Sequence, residues 1–372
     1  MKYPKFIKGS NFGGLKSFDI DLETENPDGT ISRNMIVLVG KRSAGKTVFM
    51  KLVAALESFD LACNHKKHDS KTATTLFQQS LEGFAIGDLV SDKTEIFFQG
   101  EFGSYHFLGQ LMCVLNQEGN GEPGFELNYI PSERNLPFSM TIDNYLGDTG
   151  HFPKYISTYF KNFFINAQSY KLREIKIPGV DIEFKYSNLR CNLDFRYPGE
   201  TKWKPISVAP SGIKSMIPLC LAVLMNKGFS NSSKSVYVVD DLDQFLDHEL
   251  ICDFLNFLVD SMKSEGSFIF SANSPYVINQ LSLCVKSFHL SSIGGKMDET
   301  QKIEFDKLMG MASPLNPGNL GIYQILDGHI LKLGNYQGIP SDHNILNERL
   351  SIGNEIFADM LDLEQSLKRD QV

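Results

Sequence analysis

No two of the six cysteines, Cys63, Cys113, Cys191, Cys220, Cys252 and Cys284, are spaced as a redox CxxC pair or a zinc knuckle. Several sit in apolar runs, where a free thiol behaves as a small hydrophobe, and the set fits a reducing compartment. Long hydrophobic runs are missing too. The most apolar stretch, Met216 to Met225, is too short to span a bilayer and contains Pro218. Met1 to Lys8 carries no apolar core of a secretory signal, so the expectation is a cytoplasmic protein with no membrane segment of its own. Positive charge is in deficit: 36 Lys and Arg against 44 Asp and Glu leave a formal charge of -8. Such a chain is no general polyanion binder, and any contact with DNA has to come from a local basic patch. There is no internal repeat, no HExxH, no nucleophile elbow and no zinc cluster. What is present is an ordinary globular composition, 42% hydrophobic and 22% charged over 372 residues, which argues against disorder.

Strand-like runs flank Asn11-Phe12-Gly13-Gly14-Leu15, whose glycines mark a turn. An apolar strand, Met35 to Val39, enters a glycine loop followed by a helix to about Phe59. Residues 1–61 thus form a first stretch. Residues 62–208 read as an insertion, helical and antiparallel β, with strands at Glu95 to Phe98, Tyr105 to Leu115 and Phe125 to Ile130. Residues 209–290 alternate helix and strand, which predicts a mainly parallel sheet. Residues 291–372 hold a strand pair turning at Asp327-Gly328 and a long amphipathic helix through Ile345, Leu346, Leu350, Ile352, Ile356, Phe357, Met360, Leu361, Leu363 and Leu367. Plain core packing is the expectation for Ile356, Phe357 and Met360.

The loop Gly40-Lys41-Arg42-Ser43-Ala44-Gly45-Lys46-Thr47 fits G-x-x-x-x-G-K-[ST] without a mismatch. Glycines let backbone N–H groups turn toward phosphates, and the following helix points its positive end at them. Lys46 is expected to reach the β- and γ-phosphates of ATP, and Thr47 to place its hydroxyl on Mg²⁺. Lys41 and Arg42 either add charge beside the phosphates or are exposed loop cations. Downstream, Val236-Tyr237-Val238-Val239 ends in Asp240 and Asp241. Asp240 suits a Mg²⁺ contact, and Asp241 could polarise an attacking water. Asp243 and Asp247 read as loop and helix-cap residues.

Many phosphate-loop families share those two motifs. Between them lies Ala209-Pro210-Ser211-Gly212-Ile213-Lys214-Ser215-Met216-Ile217-Pro218-Leu219, which resembles the degenerate signature of OLD-type and SMC-like ABC-class ATPases. Asp240-Asp241-Leu242-Asp243-Gln244-Phe245-Leu246 looks like that family's DEPExxL. Phe270-Ser271-Ala272-Asn273-Ser274-Pro275-Tyr276 looks like its switch segment, and Tyr129-Ile130-Pro131-Ser132-Glu133-Arg134 like its YIPxER. The resemblance spans about Phe6 to Ser282, and order and spacing carry it. It implies a single α/β ABC-type head over 1–372, with an antiparallel β subdomain and a helical insertion. It implies a dimer, or a higher homo-oligomer, in which Ser211 and Gly212 face the γ-phosphate bound by another copy. A helix cap at Ser211 is the plainer alternative.

Two positions depart from the family pattern. Asp241 stands where a Glu is usual, and Asn273 where a switch His is usual. A shorter acid and a group that cannot titrate near neutrality both point to slow hydrolysis. The absence of sustained heptads excludes a long coiled coil. About 80 residues after Leu290 are too few for a further Toprim nuclease domain. The expected function is an ATP- and Mg²⁺-dependent switch for a separate effector, in a setting of prokaryotic anti-phage defence. The alternatives are an SMC-like ATPase that contacts DNA through Lys66, Lys67, Lys171, Arg173, Lys176 or Lys202-Trp203-Lys204, and an ATP-binding scaffold with little hydrolysis.

Overall fold

Eleven strands hydrogen-bond into one mixed sheet, numbered here in chain order: β1 (Phe6–Phe12), β2 (Leu15–Asp21), β3 (Met35–Gly40), β4 (Glu95–Gln99), β5 (Gly103–Leu108), β6 (Leu111–Gln117), β7 (Phe125–Ile130), β8 (Lys234–Val239), β9 (Gly266–Ala272), β10 (Leu320–Leu326) and β11 (His329–Lys332). Across the sheet the order is β6-β5-β4-β1-β2-β11-β10-β3-β9-β8-β7. The computed structural model describes residues 4–25, 31–64, 68–117, 125–135, 153–169, 175–177, 180–187, 192–229, 234–262, 266–293, 299–348 and five positions between 351 and 360.

β10, β3, β9, β8 and β7 run parallel to one another. The other half is built of antiparallel hairpins, joined to the parallel half where β11 meets β2. The α/β class and the mainly parallel core are therefore as expected, and the antiparallel strands continue the same sheet. β3 is buried along its whole length, which its unbroken apolar run requires when both sheet faces are covered. Met35, Val37 and Val39 enter one core while Ile36 and Leu38 enter the other, as the two-residue side-chain period dictates.

Helices α1 (Lys46–Cys63) and α2 (Ser70–Gly83) cover the second face. α3 (Lys154–Ser169), α4 (Ser211–Phe229), α5 (His248–Met262) and α6 (Pro275–Ile293) lie with the first. A small antiparallel sheet of Ile175–Ile177, Val180–Ser187, Asn192–Arg196 and Lys204–Pro205 packs its Phe184, Leu193 and Phe195 into the same core. Among the described residues no helix is long and apolar enough to cross a membrane.

Three expectations are corrected. Tyr105 to Leu115 is not one strand: it turns at Gly109-Gln110, and β5 and β6 pair as a hairpin. A two-residue connection leaves an apolar pattern nearly unbroken, so the periodicity hides it. β7, grouped by sequence with those antiparallel strands, instead lies parallel to β8 at the other edge of the sheet. Alternation identifies a strand but not its partner. Near the C-terminus Ile345 and Leu346 are buried, whereas Ile356, Phe357 and Met360 are exposed rather than packed in the core. Leu350, Leu361, Leu363 and Leu367 lie outside the described residues.

Candidate functional site

The β3-to-α1 connection closes on Gly45, the residue before α1, at φ 104°. That left-handed conformation suits glycine, and a Cβ there would also sit 3.0 Å from Leu15 Cδ2. Lys46 begins the helix. Its side chain is 6% exposed and folds back over the loop, with Nζ donating to the carbonyls of Gly40 at 3.0 Å and Lys41 at 3.1 Å. Burial pushes its ammonium below the usual lysine range, against the opposing pull of Asp241, Asp240 and Asp243. The loop thus holds a cation that two backbone carbonyls satisfy.

β8 and β9 bring the acidic residues to the same end of the sheet. Asp240 is fully buried, and its Oδ1 accepts from Ser271 Oγ at 2.8 Å. The other oxygen, Oδ2, is buried with no hydrogen-bond partner among the described residues. Burial pushes the Asp240 carboxyl up and neighbouring Asp241 adds to this, while Ser271 and Thr47 draw it back. Thr47 is thus near enough to act on this carboxyl. A buried carboxylate with one oxygen lacking a donor among the described residues, and with a threonine hydroxyl acting on the same carboxyl, fits a hard cation held by oxygen ligands.

Asp241 sits at φ 49°, a left-handed value uncommon outside glycine. Its Oδ1 accepts from Asn273 Nδ2 at 2.9 Å, so the two residues that depart from the family pattern are hydrogen-bonded to each other. Arg42, Ser43, Gly45, Lys46, Thr47, Asp241, Asp243, Gln244, Phe245 and Asn273 line one open cavity of about 680 Å³. Arg42 therefore faces the cavity, while Lys41 contributes its carbonyl to Lys46 and keeps its side chain exposed.

Ser211 and Gly212 are not among the described residues lining that cavity. Ser211 is the first helical residue of α4 and Pro210 precedes it, so the capping reading of Ser211 is corrected. Gly212 has a packing reason of its own: a Cβ would lie 3.0 Å from the Phe245 carbonyl and 3.3 Å from Leu250 Cδ1. Asp247 does cap a helix, accepting from Leu250 N at 2.9 Å ahead of α5. Asp243 does more than fill a loop, since its Oδ2 accepts from the backbone N–H of both Asn273 and Ser274.

The residues that sequence reasoning left without roles are the ones that hold this arrangement. Ser271 donates to Asp240, accepts from Asp241 N at 2.7 Å, and accepts through its carbonyl from Leu242 N at 2.8 Å. Arg134, 2% exposed, ties the β8 turn to α4. Both lie in segments singled out for resemblance, but one-dimensional spacing carries no sign of what either touches. Of the basic candidates, Lys204 is paired with Glu200 at 2.7 Å. Trp203 has Lys185 and Arg196 at 4.3 and 4.4 Å from its ring centre. Arg196 in turn pairs with Glu183. Lys66, Lys67, Lys171 and Arg173, and the side chain of Lys176, lie outside the described residues.

No family model matches the sequence, and no curated protein matches it. Among solved structures the chain is similar to an Smc head domain with an extended coiled coil from Pyrococcus furiosus, bound to the C-terminal domain of ScpA. Identity is 11%, coverage is 96% of this chain and 100% of that one, and the TM-score is 0.44. It is also similar to the SMC head domain of Thermotoga maritima, at 11% identity, 90% and 100% coverage and a TM-score of 0.40. A third is the ATP-binding cassette of an ABC transporter in its ADP conformation, at 11% identity, 95% and 99% coverage and a TM-score of 0.38. Overlaps this loose carry no weight for function, which rests on the side chains around the cavity.

Proposed function

We propose that this chain is an ABC-type ATPase that binds ATP with Mg²⁺, hydrolyses it slowly, and works as a dimer whose ATP-bound state is read by a separate effector. One observation carries the reading. Lys46, Thr47, Asp241 and Asn273 line a single cavity, and buried Asp240, on whose carboxyl Thr47 acts, keeps Oδ2 without a hydrogen-bond partner among the described residues. Lys46 would exchange its two carbonyl partners for phosphate oxygens, a charge-assisted contact stronger than the one it leaves. Thr47 and Asp240 would hold Mg²⁺, which neutralises charge on the phosphates when bound. Asp241, steadied by Asn273, would orient the attacking water. Both are shorter or less basic than the groups usual in the family, so turnover below about 10² s⁻¹ is expected.

The dimer follows from the resemblance of 209–219 to an ABC signature, and the position of Ser211 supports it. Ser211 is exposed and outside the cavity of its own chain, so a second copy would bring it to the nucleotide by two-fold symmetry. The setting of anti-phage defence follows from the family resemblance, and work in the cytoplasm from cysteines that fit a reducing compartment. The test is a mixing experiment. Lys46→Ala and Ser211→Arg proteins, each inactive, should regain part of the parental activity together, because one composite site in a mixed dimer keeps both intact halves. Mixed dimers of folded proteins that show no rescue would sink the shared site.

A further inference from the structure

Five hydrogen bonds converge on one buried guanidinium between the two motifs of the candidate site. Arg134 follows β7 in the Tyr129-to-Arg134 segment, and its Nε donates to the Ser215 carbonyl at 2.9 Å and the Ser215 hydroxyl at 2.8 Å. Nη1 donates to the Asp240 carbonyl at 2.8 Å, and Nη2 to those of Asp241 at 2.7 Å and Leu242 at 3.1 Å. Three consecutive carbonyls thus point at one cation. This is the arrangement that a left-handed Asp241 needs, because a non-glycine residue stays at positive φ only where its surroundings over-determine it. The Arg134 carbonyl is itself held by Tyr159 OH at 3.0 Å. Ser215 lies four residues after Ser211, about one helical turn along the same rigid rod.

We propose that Arg134 is a positioning residue for ATP hydrolysis: it holds Asp241 in its working conformation and fixes the β8 turn to the helix that begins at Ser211-Gly212. The proposal rests on the function above, since it assigns Asp241 the water. Arg134 does not line the cavity, so it acts through Asp241 rather than on the nucleotide. Only a planar fork serves three carbonyls and a serine at once, whereas a lysine offers one point charge.

The test compares Arg134→Lys, Asp241→Ala and the double variant in the full chain. Arg134→Lys is expected to bind ATP within about threefold of the parent while kcat falls about a hundredfold, a loss of about 2.7 kcal/mol in transition-state stabilisation. In the Asp241→Ala background the same substitution should cost no further kcat. A further hundredfold loss there, or an unchanged kcat in the single variant, overturns the proposal. So does a loss that only tracks the folded fraction by circular dichroism. If Arg134→Lys does not fold, Ser215→Ala takes its place. It removes one acceptor and should lower kcat about threefold in the parent and not at all beside Asp241→Ala. A parent that binds ATP without hydrolysing it would refute the proposed function, and hydrogen exchange then decides the Arg134 link. Exchange about tenfold faster in 236–246, with 35–50 unchanged, supports it. A uniform change or none overturns it.

Discussion

Arg134 Nη1 donates to the carbonyl of Asp240 at 2.8 Å across 106 positions of sequence. One residue therefore holds the backbone of the buried acid beside the site, while another arm of the same group reaches Ser215 on α4. The sheet sets the phosphate loop and the β8 acids side by side through β9, and Arg134 ties the acids' turn to α4. Burial lowers the guanidinium's pKa below the usual range. It nonetheless stays charged at neutral pH, because arginine starts so far above it.

Lys46→Ala should abolish hydrolysis and weaken ATP binding at least tenfold, since it removes the cation seated against the loop carbonyls. Fluorescent-nucleotide titration and phosphate release measure the two effects. Parental values for both would exclude the phosphate-loop assignment.

Asn273→Ala removes the 2.9 Å hydrogen bond to Asp241 Oδ1. Hydrogen bonds to charged groups contribute about 1.5–3 kcal/mol. A fall of about tenfold or more in kcat is expected, with the KM for ATP little changed. Asp241→Ala should go further and leave an ATP-bound dimer that native mass measurement detects. Equal losses in kcat and in ATP affinity for Asn273→Ala would mean that it serves binding instead.

Gly212→Ala tests packing against α5 rather than chemistry. Overpacking costs about 1–3 kcal/mol, against about 1 kcal/mol gained from alanine's helix propensity. The added methyl would press on the Phe245 carbonyl at 3.0 Å, so a net loss of about 1 kcal/mol in urea unfolding is expected. A variant as stable as the parent would show that the 245–250 segment yields freely.

Stability should fall as pH rises from about 4 to about 7. Asp60, on α1, accepts from Glu101 N, Phe102 N and Tyr105 OH, yet burial raises its pKa to about 7. An unfolded aspartate titrates near 3.9. Between those values the native state binds more protons than the unfolded one, so each step up in pH favours unfolding, and above about 7 the effect is complete. Glu57 is raised by burial as well, despite its 3.0 Å pair with Lys5, and acts with the same sign. The urea midpoint should therefore be lower at pH 8 than at pH 5, and Asp60→Asn should shrink the difference. An undiminished difference in the variant would assign the effect elsewhere.

The local chemistry was legible in the amino-acid order itself. Met35 to Val39 could only be a strand covered on both faces, and Gly40 to Thr47 could only turn there, because apolar period and glycine placement act through neighbours in the chain. The end of β8 was legible for the same reason, down to Asp240 and Asp241. Tertiary structure decided what those residues meet. It placed β7 beside β8, split Tyr105 to Leu115 into a hairpin, paired Asp241 with Asn273, and left Asp240 Oδ2 without a donor. It also seated Arg134 under three carbonyls and gave Gly212 its neighbour in Phe245. Apart from that hairpin, these contacts join residues far apart in sequence, and hydrogen bonds and close approach leave no periodic trace in the residues that make them.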